Sequence, residues 1–362
     1  MLRRLRMIKV PTKLKRHWLT IAFVGGFVVD NLTLNRVDQV FDNIILATYV
    51  ILAMISLLLL YSATADKLPE RLGQRVRTFG PVIVQYSFGG LLSGMLIFYG
   101  RSGDWFVSWP LLLLFLLVIY FNETIHDRSS RLIYNLAILF IGLFSYVVLI
   151  IPVITGRMGE WIFIGSGVLA FGLMYGFVQL LYRIVPNFME LQMRAIVFTI
   201  GIIFVIMNFL YFTNIIPPIP LSLKDVGIYH SVVRFENGEY QLKYEPGSWW
   251  QFWKHSDDVF RPSVGGAVFC FAKVFAPTRL ETDIYHSWQY QNEAGEWVEH
   301  YRGSYSISGG SDGGYRGYTL INNFQSGQWR CSVETDRGQV LGREYFTIDA
   351  SQRPGELETI ID

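Results

Sequence analysis

Charge is scarce in this chain, cysteine scarcer still, and no run of residues spells out a catalytic set. Of 362 residues, 17% are charged and 51% hydrophobic, where a soluble protein carries about 25% charged residues. That deficit excludes an ordinary soluble protein along the whole length. It is also local. Up to Pro220 the charges sit in short clusters between long apolar runs, and from Leu221 onward the composition is that of a globular domain of about 140 residues. The two cysteines, Cys270 and Cys331, both fall in that second part. The glycine-rich stretch 309–318 lacks the Lys-Ser/Thr of a phosphate-binding loop and opens no helix. No apolar run carries the string of buried acids expected of a proton pump or ion exchanger. No enzyme activity, cofactor or metal set is therefore expected.

The charges that are present are unevenly placed. Up to Pro220 there are 18 Lys/Arg against 10 Asp/Glu, and beyond it 13 against 19, so net charges of +8 and −6 combine to the chain's +2. An acidic domain is a poor nucleic-acid binder, because phosphate contacts need a basic surface. Apolar runs of about 20 residues, enough to cross roughly 30 Å of hydrocarbon, occur at 18–34, 41–62, 81–99, 105–121, 132–153, 161–182 and 195–216. The first follows seven basic residues and lacks a small-residue cleavage site, so it is expected to stay as a signal anchor. With all seven crossing, one side of the bilayer holds 15 of the 18 basic residues and the other holds Arg36, Arg101 and Arg157. Basic residues concentrate on the cytoplasmic side. The N-terminus is thus expected in the cytoplasm and everything after residue 216 outside. Gly90 with Gly94, and Gly172 with Gly176, have the spacing that lets helix backbones approach.

Beyond Pro217-Pro218-Ile219-Pro220 the apolar period drops to two. Strands are expected at 228–235, 240–244, 266–274, 282–291, 297–306, 318–322, 329–334 and 340–348, with Asn237-Gly238 as a hairpin turn. Short strands at this spacing predict a sandwich. Trp288 lies between the cysteines, 18 residues after Cys270 and 43 before Cys331. That order is similar to the Cys–Trp–Cys pattern of immunoglobulin-like domains. Cys270 and Cys331 are either bridged, which an oxidising compartment permits, or buried as two free thiols.

Several stretches together resemble a family of uncharacterised bacterial membrane proteins. They are Pro217-Pro218-Ile219-Pro220-Leu221-Ser222-Leu223-Lys224-Asp225, His286-x-Trp288, Gly313-Gly314-Tyr315-Arg316-Gly317-Tyr318 and Gly327-Gln328-Trp329-Arg330, with Gly25-Gly26-Phe27 followed by Asp30. The resemblance covers most of the chain. It implies a multi-span inner-membrane protein of a Gram-negative bacterium, with a periplasmic domain of unknown function. It implies no activity and assigns no functional residues.

Four places are candidates for binding, each with a plain alternative. His286 and Trp288 share a strand face and, with His300 on the next strand, suggest a ligand site; a packed sheet face is the alternative. The loop 309–318 offers Arg316 with Tyr315 and Tyr318 as an anion-binding surface, or is a wide turn that needs positive φ. Trp249, Trp250 and Trp253 suit stacking on sugar rings or lying in the outer headgroup layer, or form a flap over the core. Asp30 is the deepest intramembrane acid and a functional suspect on that ground, while Asp38 and Asp42 suit the first turn of the second helix. The organisation expected is a basic N-terminus (1–17), a seven-helix bundle (18–216), a Pro-rich connector (217–227), an immunoglobulin-like sandwich (228–350) and a tail (351–362). The expected function is a membrane-anchored periplasmic binding or sensing module. Its partners would be the lipid bilayer and an envelope protein or glycan. The alternative is a transporter or channel for small molecules.

Overall fold

The computed structural model describes residues 28, 30–34, 36–124, 132–247, 254–310 and 313–362. Most of the first expected span, together with Trp249, Trp250 and Trp253, lies outside the described residues. Among those described, residues 30–33 are helical, and seven further helices follow: α1 (Val40–Thr64), α2 (Glu70–Arg101), α3 (Trp105–Thr124), α4 (Leu132–Thr155), α5 (Glu160–Ile184), the short α6 (Pro186–Glu190) and α7 (Met193–Phe212). Five of them, α1, α2, α4, α5 and α7, are long and apolar enough to cross a membrane, and α3 is apolar over Phe106–Tyr120.

Most helix ends fall within about a turn of the expected spans. The exception is α2, which begins at Glu70 rather than near Pro81. Hydropathy marks where side chains turn polar, not where the backbone leaves the helix. Glu70 suits the positive end of the helix dipole. Arg77, one turn before the apolar run, donates from Nε (3.1 Å) and Nη2 (2.6 Å) to the Ala63 carbonyl in the last turn of α1, an oxygen that also accepts the Asp66 N–H at 3.2 Å.

The chain divides into two compact units. The first takes the chain up to Phe98 with Leu113–Val148 and Ser166–Ile206; the second takes Tyr99–Leu112, Leu149–Gly165 and Met207–Asp362. In the first, a Cβ on Gly90 would stand 2.5 Å from the Tyr49 ring and one on Gly94 2.6 Å from Leu46. These glycines let α1 and α2 approach, as their spacing predicted. The other pair differs, since a Cβ on Gly172 or Gly176 would meet nothing within 4 Å. That stretch of α5 faces outward, with Phe171, Leu173 and Tyr175 exposed.

Among its described residues the second unit holds eleven strands: β1 (Ser222–Tyr229), β2 (Ser231–Arg234), β3 (Tyr240–Tyr244), β4 (Val259–Phe260), β5 (Val268–Phe275), β6 (Glu281–Gln291), β7 (Trp297–Ser308), β8 (Tyr315–Ile321), β9 (Gly327–Thr335), β10 (Val340–Ile348) and β11 (Glu358–Ile361). They form sheets ordered β1-β5-β8, β4-β10-β9-β6-β7 and β11-β3-β2. Three strands lie where none was expected: β1, the two-residue β4 and β11. β1 occupies the connector stretch, and its pairing with β5 is interrupted by a bulge between Leu223 and Asp225 that breaks the period-two pattern. β11 occupies the tail stretch and pairs with β3; four residues are too few to show a period. Gly238, at φ +85°, turns the β2–β3 hairpin.

The first two sheets share one core. Ile228, Val268, Cys270 and Ile321 from one pack with Phe260, Trp288, Trp329, Cys331 and Phe346 from the other. Cys270 on β5 and Cys331 on β9 are disulfide-bonded across the two sheets. Tyr240, Leu242 and Tyr244 of the third sheet pack on Tyr229 and Phe271.

Candidate functional site

His286 and Trp288 belong to the core, not to a ligand surface. Both are fully buried, because β6 lies inside its sheet and pairs with β7 on one side and β9 on the other. Trp288 stands opposite Cys331 in that register. Its indole N–H donates to Thr319 Oγ1 at 2.9 Å. The same oxygen lies 3.1 Å from His286 Nδ1, and the Tyr305 hydroxyl lies 3.2 Å from Nε2. Burial pushes the His286 imidazole down to about 3, so it is neutral and its polar atoms are satisfied. His300 is exposed and packs edge-on against Trp329 and Tyr290, apart from His286. Cys270, His286 and Cys331 do place possible ligand atoms within 4.8 Å of one another. The disulfide uses both sulfurs, so no thiolate is left there to bind a metal.

Of the stretch expected as an anion-binding loop, the last four residues, 315–318, belong to a strand. β8 begins at Tyr315 and pairs with β5, with Arg316 opposite Lys273. The glycines that suggested a loop serve close packing. A Cβ on Gly317 would stand 2.2 Å from the Tyr305 ring, and one on Gly309 1.6 Å from the Pro277 carbonyl oxygen. Gly314, at φ +87°, makes the turn into the strand. Arg316 Nε binds Asp362 Oδ2 at 3.2 Å, and Lys273 Nζ binds Asp362 Oδ1 at 2.5 Å. Tyr318 is 36% exposed, against Tyr240 and Phe269. Tyr315 packs on the core. Beside this ion-pair network is a cleft of about 200 Å³, lined among others by Asp225, Tyr229, Lys254, His255, Lys273 and Asp362. It presents both charge signs around a buried phenol and suits a polar ligand that carries hydrogen-bond donors and acceptors.

A second polar set was not legible in the sequence. His230 lies between β1 and β2, Glu245 follows β3, and Asp257 precedes β4. His230 Nε2 is 3.5 Å from Glu245 Oε1 and 3.4 Å from Asp257 Oδ2, with all three atoms buried. The other oxygens are held. Asp257 Oδ1 accepts the Glu245 backbone N–H at 2.6 Å, and Glu245 Oε2 accepts from Arg261 Nη1 at 2.5 Å. The His230 ring stacks on Phe260 at 4.3 Å. Burial lifts the Asp257 carboxyl to about 8 and lowers His230.

Helix ends and strands within the second unit are tied by polar contacts around the β9–β10 turn. Asp104 accepts the Phe106 N–H at 2.8 Å, which caps α3, and its other oxygen binds Arg343 Nη1 at 2.8 Å. Arg337 Nε is 3.2 Å from Glu160 Oε1, and its guanidinium lies 4.3 Å from the centre of the Tyr211 ring. Asn214 Nδ2 donates to the Arg337 carbonyl at 3.2 Å, and Gln339 Nε2 to the Ile216 carbonyl at 3.1 Å. In the first unit Asp30 is buried, accepting hydrogen bonds from Ser93 Oγ and, at 3.4 Å, from Tyr49 OH. Arg36 pairs with Asp38 at 2.7 Å, and Asp42 lies in the first turn of α1, where its Oδ2 accepts the Arg36 N–H at 3.0 Å.

No curated protein matches the chain. Among solved structures, the Pseudomonas fluorescens alkylpurine DNA glycosylase AlkC bound to DNA containing an abasic site analog aligns at 12% identity and a TM-score of 0.21. That alignment covers 95% of this chain and 84% of that one. A TM-score that low carries no inference about fold or activity. Residues 281–348 match the family model described as "Protein of unknown function (DUF2914)", a segment that runs from the first residue of β6 to the last of β10.

Proposed function

We propose that the chain is a multi-pass protein of a bacterial inner membrane with a cytoplasmic N-terminus. Its exported β domain binds an envelope component without catalysis. Five long apolar helices support the membrane reading. So do the outward side chains of α7, where Phe198 is 69%, Val205 65% and Phe209 62% exposed, an apolar face that suits lipid rather than water.

An immunoglobulin-like arrangement is supported by strand order. Taking β5 to β10 in chain order as B, C, C′, E, F and G, the pairs β5-β8 and β10-β9-β6-β7 become B-E and G-F-C-C′. The bridged cysteines then fall on B and F and the buried tryptophan on C, as in that fold.

The observation that carries the functional reading is the set of contacts at the β9–β10 turn. Two of the three loops expected outside, those around Arg101 and Arg157, fall in one compact unit with the strands, joined by Asp104–Arg343 and Glu160–Arg337. A domain held this way is positioned to pass a binding event to helix ends. A photo-crosslinker at His255, on the rim of the cleft, should trap an envelope protein or glycan in intact cells, whereas one at Glu293, in the β6–β7 turn, should not.

The transporter reading rests on Asp30. Its contacts with Ser93 and Tyr49 fit a helix clamp, and the two readings separate experimentally. Failure to crosslink at His255, together with solute flux in proteoliposomes that Asp30→Asn abolishes, would overturn the binding module.

A further inference from the structure

Tyr229, on β1, is 3% exposed and lines the cleft beside the Lys273–Asp362 ion pair. Among the described residues none hydrogen-bonds its hydroxyl. A buried hydroxyl nearly always has a partner, and this one can be met only from the cleft. Burial first, and then the carboxylates of Asp225, Asp362 and Glu344, raise the phenol above its ordinary value, so it stays a neutral hydroxyl that can accept a hydrogen bond. Asp225, Gly227 and Tyr229 share one face of β1, because alternate residues of a strand do. The phenol folds back over Gly227, where a Cβ would stand 2.8 Å from its oxygen. That brings the hydroxyl toward Asp225.

The charges around the cleft select the ligand. Lys254 is held by Asp258 and, at 2.7 Å, by Glu344, while Lys273 and Asp362 hold each other at 2.5 Å. An anionic ligand would have to break one of these pairs to reach a lysine. Asp225 is different. Its side chain is 54% exposed and its ion pair with Lys273 is stretched to 3.9 Å, so the carboxylate keeps acceptor capacity for a cation. His255 is exposed at the rim, edge-on to Tyr244, and offers a ring nitrogen to a ligand oxygen. The cleft's volume of about 200 Å³ lies below the roughly 300–1,000 Å³ of pockets for drug-sized molecules, which calls for a smaller ligand. We propose that the cleft binds a small compound bearing a protonated primary amine, its ammonium held between the Asp225 carboxylate and the Tyr229 hydroxyl and a neighbouring oxygen at His255. This ligand class rests on the cleft being the binding site of the β domain.

The test uses the full chain in detergent, titrated by calorimetry and saturation-transfer NMR with glycine, ethanolamine and glucosamine. Each is paired with its counterpart lacking the amine, namely acetate, ethanol and glucose. At least one amine should bind to saturation, and at least about 10-fold more tightly than its counterpart, as a hydrogen bond to a charged group allows. Asp225→Asn should remove that preference, and Tyr229→Phe should weaken amine binding by about 2- to 10-fold, the worth of one neutral hydrogen bond. Glu293→Gln, in the β6–β7 turn, should change nothing. Circular dichroism confirms that each variant is folded. Three results would overturn the ligand class: no amine binds the unsubstituted chain, amine and counterpart bind alike, or the preference survives in folded Asp225→Asn. A partner trapped at His255 while no amine binds would overturn the ligand class and leave the cleft a binding site. Amine binding without a trapped partner would support the ligand class and remove only the envelope component.

Discussion

The hydroxyl of Thr319 serves two buried groups at once. It accepts the Trp288 indole N–H and contacts His286 Nδ1, and Trp288 packs in the core that holds the disulfide. Thr319→Val keeps the shape and removes the hydroxyl, leaving a buried indole donor and one imidazole nitrogen without a partner. An orphaned buried polar group costs about 1–3 kcal/mol, so the variant should unfold at markedly lower urea concentration with an unchanged slope. His286 also sets a pH response. Its folded value of about 3 lies below the ordinary 6.5, so between these the unfolded chain takes up a proton that the folded chain refuses. Stability therefore falls as pH drops through that window. The groups in contact with the ring, Thr319, Tyr305 and the Cys270 backbone, carry no charge that would offset this. His286→Gln should flatten the part of the acid-induced fall in melting temperature that lies between pH 6.5 and 3. At this scale the sequence misleads in a consistent way. Alternation put His286 and Trp288 on one face, as it should, but both faces of an interior strand are covered, and alternation does not say which face meets water.

Among the elements, the β9–β10 turn and the start of β10 reach the helix ends. The Asp104–Arg343 pair is largely buried, with side chains 7% and 17% exposed, and Asp104 also caps α3. Removing either partner leaves an uncompensated charge, which costs about 3–5 kcal/mol in a buried pair. Asp104→Ala and Arg343→Ala should each lower the melting temperature of the detergent-solubilised chain. Together they should lower it by less than the sum of the two effects, with a coupling of at least about 1 kcal/mol; additive losses would mean that the pair is not an energetic unit. The elements themselves were mostly legible. Apolar runs of 17–22 residues located the helices, and alternating stretches bounded by turn residues located most strands. What escaped was short or irregular, namely the bulged β1, the two-residue β4 and the four-residue β11. The set His230, Glu245 and Asp257 escaped for a related reason. Each residue stands just beyond a strand end, and chain spacing carries no trace of strand pairing such as that of β2 with β3, which helps to bring them together.

At the scale of the whole molecule, charge and contacts make one argument about orientation. Basic residues cluster between alternate apolar runs, at Lys67 to Arg77, at Arg128 and Arg131, and at Arg183 and Arg194, as cytoplasmic loops do. The intervening connections carry Asp104 and Glu160, whose partners Arg343 and Arg337 belong to the β domain. Loops that share ion pairs with one domain lie on one side of a membrane with it. If the basic loops are cytoplasmic, the domain is exported, in the compartment where its Cys270–Cys331 bridge would persist. Alkaline phosphatase, which is active only after export, reports this directly. Fused after Asp362 or at Gly103 it should be active; fused after Arg77 or at Arg183 it should be silent. Equal activity at Gly103 and Arg77 would break the alternation, and activity at Arg77 with silence after Asp362 would invert the molecule. An even number of crossings predicts a different pattern, with Arg77 and Asp362 still on opposite sides but the N-terminus outside. A fifth reporter ahead of the run at 18–34 therefore decides whether that first segment crosses, and an active N-terminal reporter would remove it from the count.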